Sequence, residues 1–488
     1  MEPPPYTETE SDPTQLLRAA EHGDEGVVKL LLEKNIDPNG VDTKYGRTPL
    51  FWAVEQGHEG VVKLLLKRGG VDPNTADTEY GQTPLERAAL QGHQRIVKLL
   101  LGQEDINLNT PGPKSLVTPL GQAVWAGHER VVELLLQRKD INPNIPGRKQ
   151  SIKPLHWAAL RGHVGVVKLL LERNDIDPNT TEARYGVTPL SLAALKGHGS
   201  VVGLLLERED IDPNAVDKVY GRTPLWWAAD DGYERVAELL LKREDVNPNT
   251  VDTEYSLTPL GRAAQKGHIG VVKVLLDRVD TNPNTAETKY GRTPLISAVH
   301  GGYAGIVELL LKREDINPNT ADTESGRTPL LWAVQQGYKG VAALLLKRED
   351  INPNMEDAMH GGTPVWWAAL FGYVGIVESL LESKDLNPDI RGPTGQTALE
   401  VAASWNHARV VKILSQFKHS VPLPASKPSD RYQGSHGLSR SGCGARSEKA
   451  PPSVRACSAF EIIWYIGLLA IILVLILFPP SRNWRCAE

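Results

Sequence analysis

Cysteine is nearly missing from this chain. Three occur in 488 residues, Cys443, Cys457 and Cys486, so the first 440 positions carry no thiol. That excludes a disulfide-stapled secreted scaffold, and no Cys/His spacing suits a structural zinc ion. A positively charged, apolar leader is missing too. Met1-Glu2-Pro3-Pro4-Pro5 is acidic and proline-rich, which sets the expectation of a reducing compartment, cytosolic or nuclear. Basic charge is not in excess either. The formal net charge is −5, and the residues before Lys418 hold 45 Lys/Arg against 55 Asp/Glu. A nucleic-acid-binding domain shows the opposite balance. Catalytic signatures are equally lacking: there is no His-Glu-x-x-His helix, no phosphate-cradling Gly-Lys-Ser/Thr loop and no Gly-x-Ser-x-Gly elbow. No enzyme, no metal and no cofactor is expected.

What the chain has instead is a repeat. Thr-Pro-Leu or a near variant begins at Thr48, Thr83, Thr118, Lys153, Thr188, Thr223, Thr258, Thr293, Thr328 and Thr363, every interval being 35 residues. Degenerate copies at Thr14-Gln15-Leu16 and Thr397-Ala398-Leu399 bring the total to about twelve, over residues 12–417. In the Thr48 copy the threonine hydroxyl caps a helix and Pro49 takes the first helical position, where no amide donor is lost. Leu50, Ala53 and Val54 form its apolar stripe, and Gly57 ends it in the left-handed conformation. Glu59 opens a second helix, Val61, Val62, Leu64, Leu65 and Leu66 form its buried face, and Lys67-Arg68 suit its negative end. Asp72-Pro73-Asn74 and Tyr80-Gly81 carry turn residues, so an extended loop or hairpin leads into the next copy. Two helices this short are stable only when stacked on neighbours. The fold expected is therefore all-α, a quasi-one-dimensional α-solenoid.

Gly46-Arg47-Thr48-Pro49-Leu50, Gly57-His58 and Val61-Val62-Lys63-Leu64-Leu65-Leu66 resemble the ankyrin repeat, and the resemblance covers about 400 of the 488 residues. The period of 35 exceeds the usual 33 of that family; the longer form is similar to ankyrin repeats of filamentous-fungal proteins. Departures are visible. The family's Leu-His after Pro survives only at Leu155-His156, and Pro111-Gly112-Pro113 and Pro146-Gly147-Arg148 stand where Tyr-Gly-Arg fingertips would. The terminal copies lose Pro, and Asn406 replaces the helix-ending Gly, as expected of capping units.

Six of thirteen histidines follow the repeat glycine, at His58, His93, His128, His163, His198 and His268, while Tyr233, Tyr303, Tyr338 and Tyr373 take that place elsewhere. Exchange with tyrosine indicates packing rather than metal ligation or catalysis. The Asp-x-Asp-Pro-Asn turns, as at Asp177, lack the spacing and the bidentate Glu of a calcium loop. Variation at positions the solenoid does not need is the signature expected of a binding surface. The resemblance implies that such positions line a concave face: Arg47, Arg222, Arg292 and Arg327 at the fingertips, and Trp125, Asp230 and Phe371 before the helix-ending glycine. Nine of eleven tryptophans lie in the repeats. Where two adjoin they diverge by about 100° around the helix. One of each pair, Trp226 and Trp366, is therefore expected to be an exposed anchor for a protein partner, the second being filling.

After Phe417 the pattern stops. Residues 418–460 read as a disordered basic linker, 461–479 as a single C-terminal transmembrane helix and 480–488 as a short tail. Ile462 to Phe478 is 17 residues without a charge, reaching ~26 Å at 1.5 Å each, short enough to suit a thin membrane such as that of the endoplasmic reticulum. Trp464 and Tyr465 fit the aromatic belt, Leu468, Ile472 and Leu475 face lipid, and Pro479-Pro480 end the helix. Arg431, Arg440, Arg446, Lys449 and Arg455 outnumber Asp430 and Glu448 before the segment, which places the repeats on the cytosolic side. Cys457 and Cys486 flank it as candidate acylation sites. The expected function is a tail-anchored, membrane-tethered interaction scaffold for an unidentified protein partner. The alternative is a soluble recognition array, resembling that of fungal immune-type receptors, whose tail serves self-assembly.

Overall fold

The computed structural model describes residues 12–147 and 152–420. Among these residues there are 24 α-helices and no strand, in chain order as twelve helix pairs. The first pair is Asp12–His22 and Glu25–Glu33, the second Pro49–Gln56 and Glu59–Arg68, and the last Ala398–Ser404 and Ala408–Ser420. The final helix runs past the boundary expected at 417. Each first helix packs on the first helices of its neighbours, and each second helix on second helices.

The start and stop signals act as their chemistry dictates. Thr48 is extended (φ −76°, ψ 164°) and its hydroxyl accepts the Phe51 N–H, with Pro49 in the first turn and Gly57 closing the helix at φ 78°. Lys153 is the one substitute for Thr in the regular series, and its helix Pro154–Arg161 has no side-chain cap. Leu50, Ala53 and Val54 are buried with Val61, Val62 and Leu65, whereas Leu64 and Leu66 lie at the edge. Equivalent residues continue this core from Leu16 to Leu414. The hydrophobic core is therefore continuous across repeats, each helix pair packing on its neighbours as well as on itself.

The ring after each helix-ending glycine serves that stacking. His128 lies on Gly92 of the preceding repeat, where an added Cβ would stand 2.7 Å from the ring. Its Nε2 is 2.9 Å from the Leu90 carbonyl. His58, His163, His198 and His268 repeat the arrangement, and Tyr233 covers Gly197 in the same way. The exchange of His for Tyr is thus explained by a flat ring over a glycine.

The Pro-Asn turns build a ladder that the sequence alone does not reveal. In each Pro-Asn turn the asparagine bridges to the next repeat: Asn214 Nδ2 donates to the Asp245 carbonyl at 2.7 Å and its Oδ1 accepts the Asn247 N–H at 2.8 Å. The donation recurs from Asn39 to Asn354. Beside it runs an arginine ladder. Arg243 forks onto Asp245, with Nε and Nη2 at 2.9 and 2.6 Å, and its Nη1 reaches the Leu206 carbonyl of the preceding second helix. Leu206 is the last residue of Gly199–Leu206, so the guanidinium meets the negative end of that helix and an orphan carbonyl together. Arg138, Arg173, Arg208, Arg278, Arg313 and Arg348 do the same. Salt bridging of the exposed Asp245 holds its carboxyl below the ordinary value, the Arg243 hydrogen bond being the largest cause.

The fingertips are closed turns, not strand hairpins. Asp42 N–H donates to the Arg47 carbonyl at 3.0 Å, and its carboxylate accepts the N–H groups of Lys44, Tyr45 and Arg47. Gly46 takes φ 61° at the tip. Adjacent tips are joined by single bonds such as Thr78 N–H to the Tyr45 carbonyl, 2.7 Å. Where Tyr-Gly-Arg is absent the tip is held differently. Gly112 N–H donates to the Glu86 carboxylate at 2.6 Å, and Gly147 pairs with Ile152 in one antiparallel bridge.

Among the described residues no helix is long and apolar enough to cross a membrane. The linker beyond Ser420, the expected span 461–479 with Trp464, Tyr465, Leu468, Ile472 and Leu475, and all three cysteines lie outside the described residues.

Candidate functional site

One face of the array carries side chains that differ from repeat to repeat. It is built by the fingertips and by the residues four, seven and eight places after each capping threonine, which the 3.6-residue period sets on the side of the first helix nearest the tip. Tryptophan at the fourth place ties the two parts together. The Nε1 groups of Trp52, Trp332 and Trp367 donate to Asp42, Asp322 and Asp357 of their own fingertips, at 3.1, 2.6 and 2.7 Å. Burial pushes the Asp42 and Asp357 carboxyls upward, but the hydrogen bonds they accept, mainly from the Tyr45, Arg47 and Lys44 N–H groups at Asp42 and from Trp367 at Asp357, hold both below their ordinary value.

Two expected anchors are corrected here. Trp226 is 1% exposed and Trp366 2% exposed, so neither presents its ring to a partner. Both occupy the third place after threonine, which points under the next fingertip. There the indole N–H groups donate to the Leu257 and Gln396 carbonyls, at 3.2 and 3.0 Å. The second member of each pair is nearer the surface, Trp367 being half-buried while Trp227 is also covered. In the Trp366-Trp367 pair the filling and surface roles are therefore the reverse of those expected, and in the Trp226-Trp227 pair both rings are filling. His156 and Glu86 stand at the same third place. His156 is fully buried, and its imidazole is pushed down to about 4 by burial and then by Lys153. The Glu86 carboxyl is pushed up to about 7 by burial, against the opposing donations of Gly112 and Thr83.

The fingertip arginines are less free than an open binding surface would have them. Arg47 and Arg222 are buried, stacked over Tyr45 and Trp52 and over Tyr220 and Trp226, with cation–ring distances of 4.1 to 4.6 Å. Each also pairs with a glutamate of the next tip, Arg47 with Glu79 at 2.8 Å and Arg222 with Glu254 at 3.2 Å. Arg292 and Arg327 are half-buried and both lie 5.2 Å from the Trp332 centroid. Asp230 is buried and paired with Arg262 at 2.6 Å, so its charge is spent inside the array.

Three groups remain open at this face. Trp125 is half-buried, edge-on to Trp157 at 4.8 Å with the Arg161 guanidinium 3.9 Å above it. His300 sits edge-on to Trp332 at 5.0 Å, and burial and the neighbouring Arg292 keep it below the ordinary imidazole value. Phe371 is 40% exposed and stacks on Trp367 at 5.6 Å, and beyond it Trp405 is 64% exposed. Sequence reasoning named Trp125 and Phe371 but missed Arg161, Trp157, His300 and Trp332 as their companions. The signal available was their spacing from the capping position, four places on for Trp157 and Trp332, seven for His300 and eight for Arg161. Among the described residues no group of three His, Cys, Asp or Glu side chains could hold a metal ion.

Aromatic rings backed by guanidinium groups, set along a rigid face, suit capture of another macromolecule rather than turnover of a small one. A family model described as ankyrin repeats (3 copies) matches six overlapping stretches, residues 5–77, 70–146, 120–217, 209–287, 278–357 and 341–422. A search of curated proteins finds no match to the chain.

Proposed function

Because the chain belongs to the ankyrin-repeat family, whose repeats are in general non-enzymatic protein-interaction modules, we propose that it is a membrane-tethered scaffold recruiting a protein partner onto its fingertip face. The observation that carries the binding half is the row of partly open rings and cations at Trp125, Arg161, His300 and Phe371, backed by the buried Trp332, on an otherwise uniform array. Arg292, Arg327, Trp125 and Phe371 are the contact residues in this reading. Arg47, Arg222, Asp230, Trp226 and Trp366 shape the face from beneath it. The membrane half rests on the uncharged run from Ile462 to Phe478 and the basic residues before it. In this reading the span sits in a thin intracellular membrane such as the endoplasmic reticulum, with the repeats in the cytosol. Tethering raises the local concentration of whatever the face binds.

Alkaline carbonate extraction of membranes tests the tether, using the full chain and a version ending at Ser458. The full chain should remain in the pellet and the shorter one should be released. Release of both would overturn the membrane half and favour a soluble array that uses its tail for assembly. Proximity labelling from the repeats, compared with an Arg161→Ala/Phe371→Ala chain, tests the binding half. A labelled set unchanged by the substitutions would remove those residues from it.

A further inference from the structure

Four fingertips carry arginine before the capping threonine, and three of them complete the same cage. Arg47, Arg222 and Arg292 each lie over the tyrosine two residues earlier, Tyr45, Tyr220 and Tyr290, at 4.6, 4.3 and 4.7 Å. Each also pairs with the glutamate 32 residues later, Glu79, Glu254 and Glu324, at 2.8, 3.2 and 3.3 Å. The fourth cage is empty on both sides. Ser325 stands where the tyrosine would, buried and turned inward with its hydroxyl donating to Asp322. Met359 stands where the glutamate would and is 62% exposed. Among the described residues Arg327 meets a ring, Trp332, but no carboxylate within ion-pair distance. Nearby carboxylates are already engaged: Glu324 by Arg292, and Asp322 by the Trp332 indole and Ser325.

We propose that Arg327 is the anchor point for an acidic side chain of a protein partner, which enters beside Met359 and restores the missing ion pair over Trp332. The inference rests on the protein-binding reading above and names the chemistry that reading leaves open. The three complete cages act as internal references. They show that this fingertip geometry brings a carboxylate to the guanidinium, and that the carboxylate stands at the surface, since the side chains of Glu79, Glu254 and Glu324 are a third to a half exposed. Arg292 adds a second guanidinium at the same 5.2 Å distance from the Trp332 ring, though its charge is balanced by Glu324. Arg327 is half-buried beside the Trp332 ring, and partial burial strengthens a charge-assisted bond made there.

The test is selection from a displayed random-peptide library on the full chain in detergent micelles, followed by affinity measurement with the best synthetic peptide. Selected peptides should share an Asp or Glu at one position. Their affinity should fall roughly ten-fold, the loss expected for one partner of a close charge pair, in Arg327→Gln and equally in Met359→Glu, where the chain fills its own cage. Met359→Gln, which changes size without charge, should bind as the natural chain does. Peptides with no acidic preference, or affinity unchanged by Met359→Glu, would overturn the Arg327 assignment while leaving protein binding intact. Failure to select any peptide on the natural chain counts against the binding reading itself, and against this site with it.

Discussion

The turns behind the second helices and the fingertips before the first helices belong to the same 35-residue unit, yet only the turns are copied with little change. On the turn side Asn214 and its equivalents donate to main-chain carbonyls of the next repeat, and Arg243 and its equivalents, each forked onto the aspartate two residues on, reach a main-chain carbonyl of the preceding one. On the fingertip side Arg222, Trp332 and Glu324 meet side chains. A carbonyl at a helix end is present whatever residue supplies it, and leaving it unpaired is costly, so the ladder tolerates little substitution. A side-chain cage can be rebuilt with another pair or left incomplete. That freedom is what allows one face to acquire individual chemistry on a regular support.

The comparison breaks first where a fingertip-side residue is really structural. Trp226→Ala should destabilise the array by about 3–5 kcal/mol, the range for emptying a large buried site. Urea unfolding would show it as a lower midpoint, and a loss below about 1 kcal/mol would return Trp226 to the surface. Glu86 gives the next largest effect. Its carboxyl is pushed up to about 7 when folded, against an ordinary 4.5, so the folded state holds a proton that the unfolded chain releases. Its contribution is complete below pH 4.5 and is lost as pH rises to about 7, by about 3 kcal/mol in all. Because the buried His156, pushed down to about 4, gains stability over part of the same range in both chains, the Glu86 effect is read as a difference: from pH 4.5 to about 7 the urea midpoint of the natural chain should fall relative to that of Glu86→Gln.

The turn side should respond more weakly at each rung. Asn284→Ala removes the bonds to the Asp315 carbonyl and the Asn317 N–H, 2.7 and 2.8 Å. A cost of about 1 kcal/mol is expected, because both groups can be reached by water. Faster amide exchange at Asn317 would locate it. Phe371→Ala sharpens the contrast from the other direction. The ring is 40% exposed, so stability should change by less than about 1 kcal/mol, while binding to any partner using that end of the face should weaken measurably.

Much of the fold was legible because its signals are local. Thr48, Pro49 and Gly57 act within their own helix, and a ten-fold recurrence of such a unit leaves little else for the chain to build. The packing role of His58 and its equivalents was legible too, since exchange with tyrosine leaves only a flat ring as the shared property. The pair Trp226-Trp227 was not. A helical period says that adjacent rings diverge by about 100°, but not which of them meets the neighbouring repeat. Nor did the motif Arg-x-Asp announce its ladder, because its acceptor, the Leu206 carbonyl, is 37 residues earlier.

By itself, then, the sequence determined the repeat, its helices and the continuity of its core, all consequences of local propensity repeated at a constant interval. Only the tertiary structure decided which charges are spent and which remain. Arg47 and Arg222 are consumed by the next fingertip and Asp230 by Arg262, whereas the residue 32 places after Arg327 is Met359, which carries no charge. Residues 32 apart become neighbours only when one repeat stacks on the next, and it is at that step that a guanidinium either finds its carboxylate or is left to seek one elsewhere.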